Sequence, residues 1–213
     1  MQMLKTPVLP SEVQLSRQHH SHLSPNTLHW YQHTLARHAR QVKFLAQAVA
    51  RQLQQSEGEI YLLGLAALMH DIGKIAIPSA LLNKPGPLTE QEWIVMRLHP
   101  MIGACLLEKA GGTWSSIAPF VLAHHERWDG HGYPYGLAGE AIPLQARILA
   151  VVDSYAAMTE QRPYRPSLLP AEAQAEIHHC AGSAYDPRVA EVFLTLLPKS
   201  GMQERANSFL AIR

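Results

Sequence analysis

The stretch LARHARQVKFLAQAVARQL, residues 35–53, decides the fold. Leu35, His38, Val42, Leu45, Val49 and Leu53 recur at steps of three and four, which is one face of an amphipathic helix. His38 therefore lies on the inward face. Asn26 or Thr27 is placed to cap this helix and Gly58 to end it. No segment alternates with the period of two that a strand requires, so the chain reads as all-α, a single helical bundle.

Outward from that helix the same reasoning continues. A second helix reads from Ile60 to about Ile72, apolar almost all round and therefore central, with Gly73 at its end. Pro78, Pro85, Gly86 and Pro87 mark residues 77–88 as loop. Thr89 and Glu92 have capping-box spacing for a helix that runs to about Leu98 and breaks at His99-Pro100. Further helices read from Ile102 to Lys109, Ser116 to about His125, Leu144 to Thr159, Pro170 to Ala181 and Pro187 to Leu197. Residues 126–143 form a long Gly/Pro-rich loop, and loops of that length inside a compact domain are usually functional. Residues 1–26 read as an N-terminal arm or linker remnant, 27–200 as one domain and 201–213 as a tail.

Composition narrows the function. The 213 residues are 47% hydrophobic with net charge +1, which excludes an intrinsically disordered chain. The longest apolar run, Ile60 to Met69, is half of the roughly 20 residues a membrane span needs. Cys105 and Cys180 are the only cysteines, so there is no disulfide framework. With no apolar signal-peptide core, the cytoplasm is the expected location. Eighteen Lys and Arg against 17 Asp and Glu, with no long basic run, argue against a nucleic-acid polymer as partner. Histidine stands out at 13, in a chain with only 16% charged residues.

Position gives those histidines meaning. His38 lies mid-helix and inward, His70 and Asp71 end a buried helix, His99 precedes a proline, and His124 and His125 end another helix. Asp153 follows the apolar run Ile148 to Val152, where a lone carboxylate would be costly. A shared metal centre removes that cost. Nitrogen and carboxylate donors without thiolate suit Fe, Mn, Zn or similar divalent ions. Seven donors are too many for one ion and fit two. Asp71, beside His70, is placed to bridge them.

At these residues the chain resembles a known family. His70-Asp71-Ile72-Gly73-Lys74 matches the HDxGK motif of HD-domain phosphohydrolases, and the eleven residues from His124 to Pro134 match HHExxDGxGYP. Together they resemble an HD-GYP domain, the subgroup linked to cyclic di-GMP hydrolysis. Lys84-Pro85-Gly86, His99-Pro100 with Gly103, and Arg162-Pro163-Tyr164-Arg165 follow in the family's order, so the resemblance covers roughly residues 30–197.

The resemblance implies roles. His38, His70, Asp71 and Asp153 hold one metal, and Asp71 bridges to a second held by His99, His124 and His125. Lys74 faces the phosphate, where a point charge stabilises developing negative charge. Arg162 and Arg165 grip the phosphates of the dinucleotide. Gly132, Tyr133 and Pro134 form a loop implicated in contacts with GGDEF domains. Two metals, Fe or Mn, activate a shared water, and cyclic di-GMP is cut to pGpG with further cleavage to GMP. Thr34 replaces a Glu that gives some members a third metal, so two are expected; Ala156 replaces an Asp usual in the family. Glu126 and Asp129 are read as acceptors that orient the ligating histidines. The competing reading, which Ala156 favours, is a catalytically weak module that binds cyclic di-GMP or a GGDEF partner. A further one keeps the enzyme and changes the substrate to another cyclic dinucleotide or a nucleoside phosphate.

Overall fold

The structure is a computed structural model that describes residues 25–160 and 167–198, with side chains from residue 36 onward. Among these residues the architecture is all-α: α1 Pro25–Gln52, α2 Glu57–Met69, α3 Ser79–Leu82, α4 Glu90–Met96, α5 His99–Ala110, α6 Thr113–Leu122, α7 Leu144–Thr159, α8 Pro170–His179 and α9 Pro187–Leu196. Pairing between extended segments among them is limited to two isolated bridges, Asp129 with Ala138 and Ala181 with Tyr185. No described helix is long and apolar enough to cross a membrane. The arm before residue 25, the tail from 201, and both Arg162 and Arg165 lie outside the described residues.

Of the expected stripe on α1, His38, Val42 and Val49 are sealed from solvent, Leu53 is buried just past the helix end and Leu45 is half-buried; Leu35 lies outside the residues whose side chains are described, and Ala46 and Ala50 complete the buried face. It packs on α2 and α7, while α5 packs on α6 and α9 closes on α1, α7 and α8. Val42, Leu63, Ile117, Val121, Ile148, Leu149 and Phe193 are fully buried in one continuous core. Arg147 of α7 ties this core to its neighbours, through a 2.6 Å ion pair with buried Asp186 and a bond to the Ile142 carbonyl.

Several helix boundaries differ from expectation, among them α2, which ends at Met69 rather than about Ile72, and α6, which starts at Thr113 rather than Ser116; others have a clear local reason. Gly58 does not end α1. It sits in the first turn of α2, because Ser56 and Glu59 form a capping box: the Ser56 hydroxyl accepts from Glu59 N–H, and the Glu59 carboxylate accepts from Ser56 N–H at 2.8 Å. α4 ends at Met96, close to the expected break, but the next helix opens at His99-Pro100 rather than at Ile102, because a proline in the first turn has no needed N–H to lose. His124 and His125 lie beyond α6, which ends at Leu122. The loop expected at 77–88 also contains the short α3.

Between α2 and α3 the chain makes a 3-10 turn, Ile72–Ala76. Gly73 lets that turn press on α5. A Cβ at this position would stand 2.0 Å from the His99 carbonyl oxygen. The glycine of the HD motif thus brings Asp71 beside His99.

Candidate metal centre

Three of the buried imidazoles are held in the same way. His70 Nδ1 donates to the Ala67 carbonyl at 2.8 Å, His99 Nδ1 to Met96 at 2.8 Å, and His124 Nδ1 to Val121 at 2.6 Å. Each acceptor lies in the last turn of a helix (α2, α4 and α6), where carbonyls have no partner in the helical ladder. A carbonyl only accepts, so each ring carries its proton on Nδ1. In the neutral ring Nε2 is then the lone-pair donor, the state a metal requires.

Those donor atoms converge. His99 Nε2 and His124 Nε2 are 3.4 Å apart. His38 Nε2 is 2.9 Å from Asp153 Oδ1. His70 Nε2 is buried without a hydrogen bond, 3.7 Å from Asp153 Oδ1 and 3.5 Å from Asp71 Oδ2. Two donor sets result, His38 with His70 and Asp153, and His99 with His124 and His125. Within each set the ligand atoms lie within 4.8 Å of one another. Asp71 stands between them: Oδ2 faces His70, and Oδ1 lies 3.4 Å from His99 Nε2. All seven expected residues therefore meet in one place, and both sets could hold a divalent ion. Orphaned His70 Nε2 and the facing lone pairs of His99 and His124 fit such an occupant. Lys74 Nζ pairs with Asp71 Oδ2 at 2.6 Å, which puts its charge at the edge of the cluster.

Charges are balanced unevenly in the metal-free site. Burial pushes His70 down, but the Asp71 and Asp153 carboxylates outweigh it and raise the imidazole to about 9. Burial opposes ionisation of Asp71, yet Lys74, His70 and His99 hold its carboxyl well below the usual range. Asp153 is likewise low: burial is overcome by the His38 hydrogen bond and the charge of His70. On the other side burial dominates. It lowers His99 and His124, and takes His125 to about 4 with help from His99. One set thus carries a proton in the metal-free protein while the other is neutral.

The Gly/Pro-rich loop covers the second set. Tyr133 is half-buried, with its ring stacked on His125 at 4.8 Å, and the Arg97 guanidinium lies over that ring, 5.5 Å from its centroid. Burial, Asp71 and Asp153 push the Tyr133 phenol above its ordinary range. Glu126 was expected to orient a histidine. Instead its buried carboxylate accepts the backbone N–H groups of Tyr135 at 2.7 Å and Leu137 at 3.1 Å, pinning the loop. Asp129 pairs with Arg127 and accepts from His131 N–H, again within the loop. Gly132 allows the loop to fold back, since a Cβ there would meet Arg127 N at 2.3 Å. Pro134 is half-buried beside Tyr133. Ala156 is sealed in the apolar core.

Two neighbours went unread in the sequence. Arg97 reads as ordinary helix-end charge, and nothing in sequence spacing brings it to Tyr133. Glu160 has one faint signal. It lies seven residues beyond Asp153, just past the end of α7, and its carboxylate is 3.5 Å from His38 Nδ1.

A family profile described as HD domain matches residues 17–189, and with the HD and GYP motifs the chain belongs to the HD-GYP type of the HD domain family. It is 46% identical over 151 residues to the cyclic di-GMP phosphodiesterase response regulator RpfG of Xanthomonas campestris pv. campestris, a match covering 70% of this chain and 40% of that one. It is 42% identical over 161 residues to a cyclic di-GMP phosphodiesterase of Thermotoga maritima, covering 75% of this chain and 44% of that one. The chain therefore spans less than half the length of these relatives. Among solved structures, Bd1817, an HDG"Y"P protein from Bdellovibrio bacteriovorus, superposes with TM-score 0.62 at 19% identity, over 81% of this chain and 57% of that one. That likeness speaks to the fold.

Proposed function

We propose that the chain is a metal-dependent phosphodiesterase that hydrolyses cyclic di-GMP to pGpG, with further cleavage to GMP. The observation that carries the reading is the pair of donor sets joined by Asp71. His38, His70 and Asp153 would hold one divalent ion, His99, His124 and His125 a second, and Asp71 would serve both. Iron or manganese suits this nitrogen and oxygen set. Such ions, when bound, supply Lewis-acid charge and an activated water at neutral pH.

The remaining work falls to the chain's own residues. Lys74, held by Asp71 at the edge of the cluster, presents a cation to the phosphate oxygens and stabilises charge that builds on them. Its ion pair fixes where that charge sits before substrate arrives. Tyr133 covers one face of His125 and excludes water from it. Arg97 adds a second cation next to that ring. Arg162 and Arg165 are proposed to grip the dinucleotide phosphates through their planar guanidinium groups. Gly132, Tyr133 and Pro134 remain the proposed contact loop for a GGDEF domain, with exposed Tyr135 beside them. The proposed cellular location is the cytoplasm.

Anaerobic reconstitution with Fe(II) or Mn(II), followed by chromatography of cyclic di-GMP reactions, tests the reading. Wild type should form pGpG or GMP, and Asp71→Asn should lose at least about 100-fold, or near 2.7 kcal/mol of barrier. Metal-loaded wild type that binds cyclic di-GMP without turnover would overturn the enzyme in favour of a binding module. Cyclic GMP-AMP in a parallel reaction reports the base preference.

A further inference from the structure

His38 differs from the other buried imidazoles in how its second nitrogen is placed. His70, His99 and His124 stand at helix ends and use last-turn carbonyls. His38 stands well inside α1, where the carbonyls of the preceding turn are taken by the helical ladder. Its Nδ1 is buried and makes no hydrogen bond. What faces it is Glu160 Oε2 at 3.5 Å, about 0.5 Å beyond the usual N–H···O length.

Glu160 follows α7 directly, and its side chain is only 6% exposed. A buried carboxylate is costly unless it answers a donor or a charge. Its Oε1 is 3.6 Å from the exposed Arg37 guanidinium, on the residue before His38. Asp153 on α7 and Glu160 just past its end thus bracket the same imidazole. Asp153 takes Nε2 at 2.9 Å, and Glu160 stands at Nδ1. A ligating imidazole whose Nδ1–H is accepted by a carboxylate is oriented more firmly, and is a stronger donor, than one accepted by a carbonyl.

We propose that Glu160 is the positioning residue of His38: it accepts the Nδ1–H when Nε2 ligates, the task that Ala67, Met96 and Val121 carbonyls perform for the other three. The proposal rests on the metal-centre reading above. It makes the set containing His38 the one whose affinity is tuned by a side chain. In the other set, His99 and His124 are held by backbone carbonyls.

The test measures metal binding, not turnover. The 213-residue chain is titrated with Mn(II) or Zn(II) against a chromophoric chelator for wild type, Glu160→Ala, Glu160→Gln and Arg37→Ala. In Glu160→Ala one of the two ions should bind roughly 10- to 100-fold more weakly while the other is unchanged. Glu160→Gln keeps an acceptor oxygen and should recover most of that loss. Arg37→Ala should match wild type. With Co(II), one hyperfine-shifted, exchangeable Nδ1–H signal should be lost in Glu160→Ala. If Glu160→Ala binds both ions as wild type does, or loses both equally, Glu160 does not position His38, and the metal centre still stands. If wild type binds no ion, the metal-centre reading falls and takes this proposal with it.

Discussion

His99 and His124 turn their Nε2 atoms toward each other across 3.4 Å, while their Nδ1 atoms are committed to the carbonyls of Met96 and Val121. Neither ring is free to change tautomer without abandoning a buried carbonyl. Two lone pairs facing at that distance repel, and a cation between them turns repulsion into ligation. Removing one ring should therefore remove one ion. In His124→Ala, equilibrium dialysis followed by elemental analysis should find one divalent ion per chain instead of two, with at least about a 100-fold loss at the affected site. Two ions retained with wild-type affinity would mean that this set is not a metal site.

Metal binding should also release a proton. His70, raised to about 9 by Asp71 and Asp153, is protonated at pH 7 in the metal-free protein and must be neutral to ligate. His99, His124 and His125 are already neutral there and contribute nothing. Calorimetric titration with Zn(II) in buffers of different ionisation enthalpy should give about one proton released from the cluster per chain at pH 7. The number should fall toward zero as pH passes about 9. No release at pH 7 would show that His70 does not carry the proton.

The same shifts set the pH dependence of the metal-free fold. His125 is lowered to about 4, so the unfolded chain binds more protons than the folded one between there and the ordinary histidine value near 6.5. Its contribution is complete above pH 6.5 and is lost as pH falls; His99 and His124 add in the same direction. His70 works the other way. Its stabilisation is complete below about 6.5 and is lost as pH rises through about 9. Urea unfolding of chelator-treated protein should therefore show maximum stability near pH 6.5, with a decline on both sides. His70→Ala should flatten the alkaline limb. An alkaline limb unchanged in that variant would refute the assignment.

Much of this was legible in the residues because burial and helical periodicity are local signals. Val42 and Val49 announce the inner face of α1, and His38 on that face declares itself by being polar there. The short motifs located the other ligands because each one ends a helix or follows it. Backbone commitments were harder to see. Whether a histidine bends back to a carbonyl three residues earlier depends on where the helix stops, and Gly58 was misplaced as a stop. Glu126 and Glu160 show the larger gap. Sequence marks both as acids near the motif, but only the packed structure reveals that one holds loop amides and the other faces His38.

Glu126 leads to the last expectation. Its carboxylate is buried, and burial raises its pKa against the pull of the loop amides it accepts. Two of those amides, Tyr135 and Leu137, lie just past Tyr133, whose ring stacks on His125. Glu126→Ala strands both N–H groups and unpins the segment that carries the ring. The loss should be about 1–3 kcal/mol of stability, read from urea unfolding. Glu126→Gln keeps one accepting oxygen and should fall between the two. Loosening should be local: limited proteolysis of the folded Glu126→Ala protein should cut between residues 130 and 137 before any helix is attacked. Wild-type stability together with an uncut loop would mean that the tight turns at Gly130 and Gly132 hold the loop without the carboxylate. In that case Tyr133 would stay on His125 in the variant, and the proposed cyclic di-GMP turnover would be unchanged.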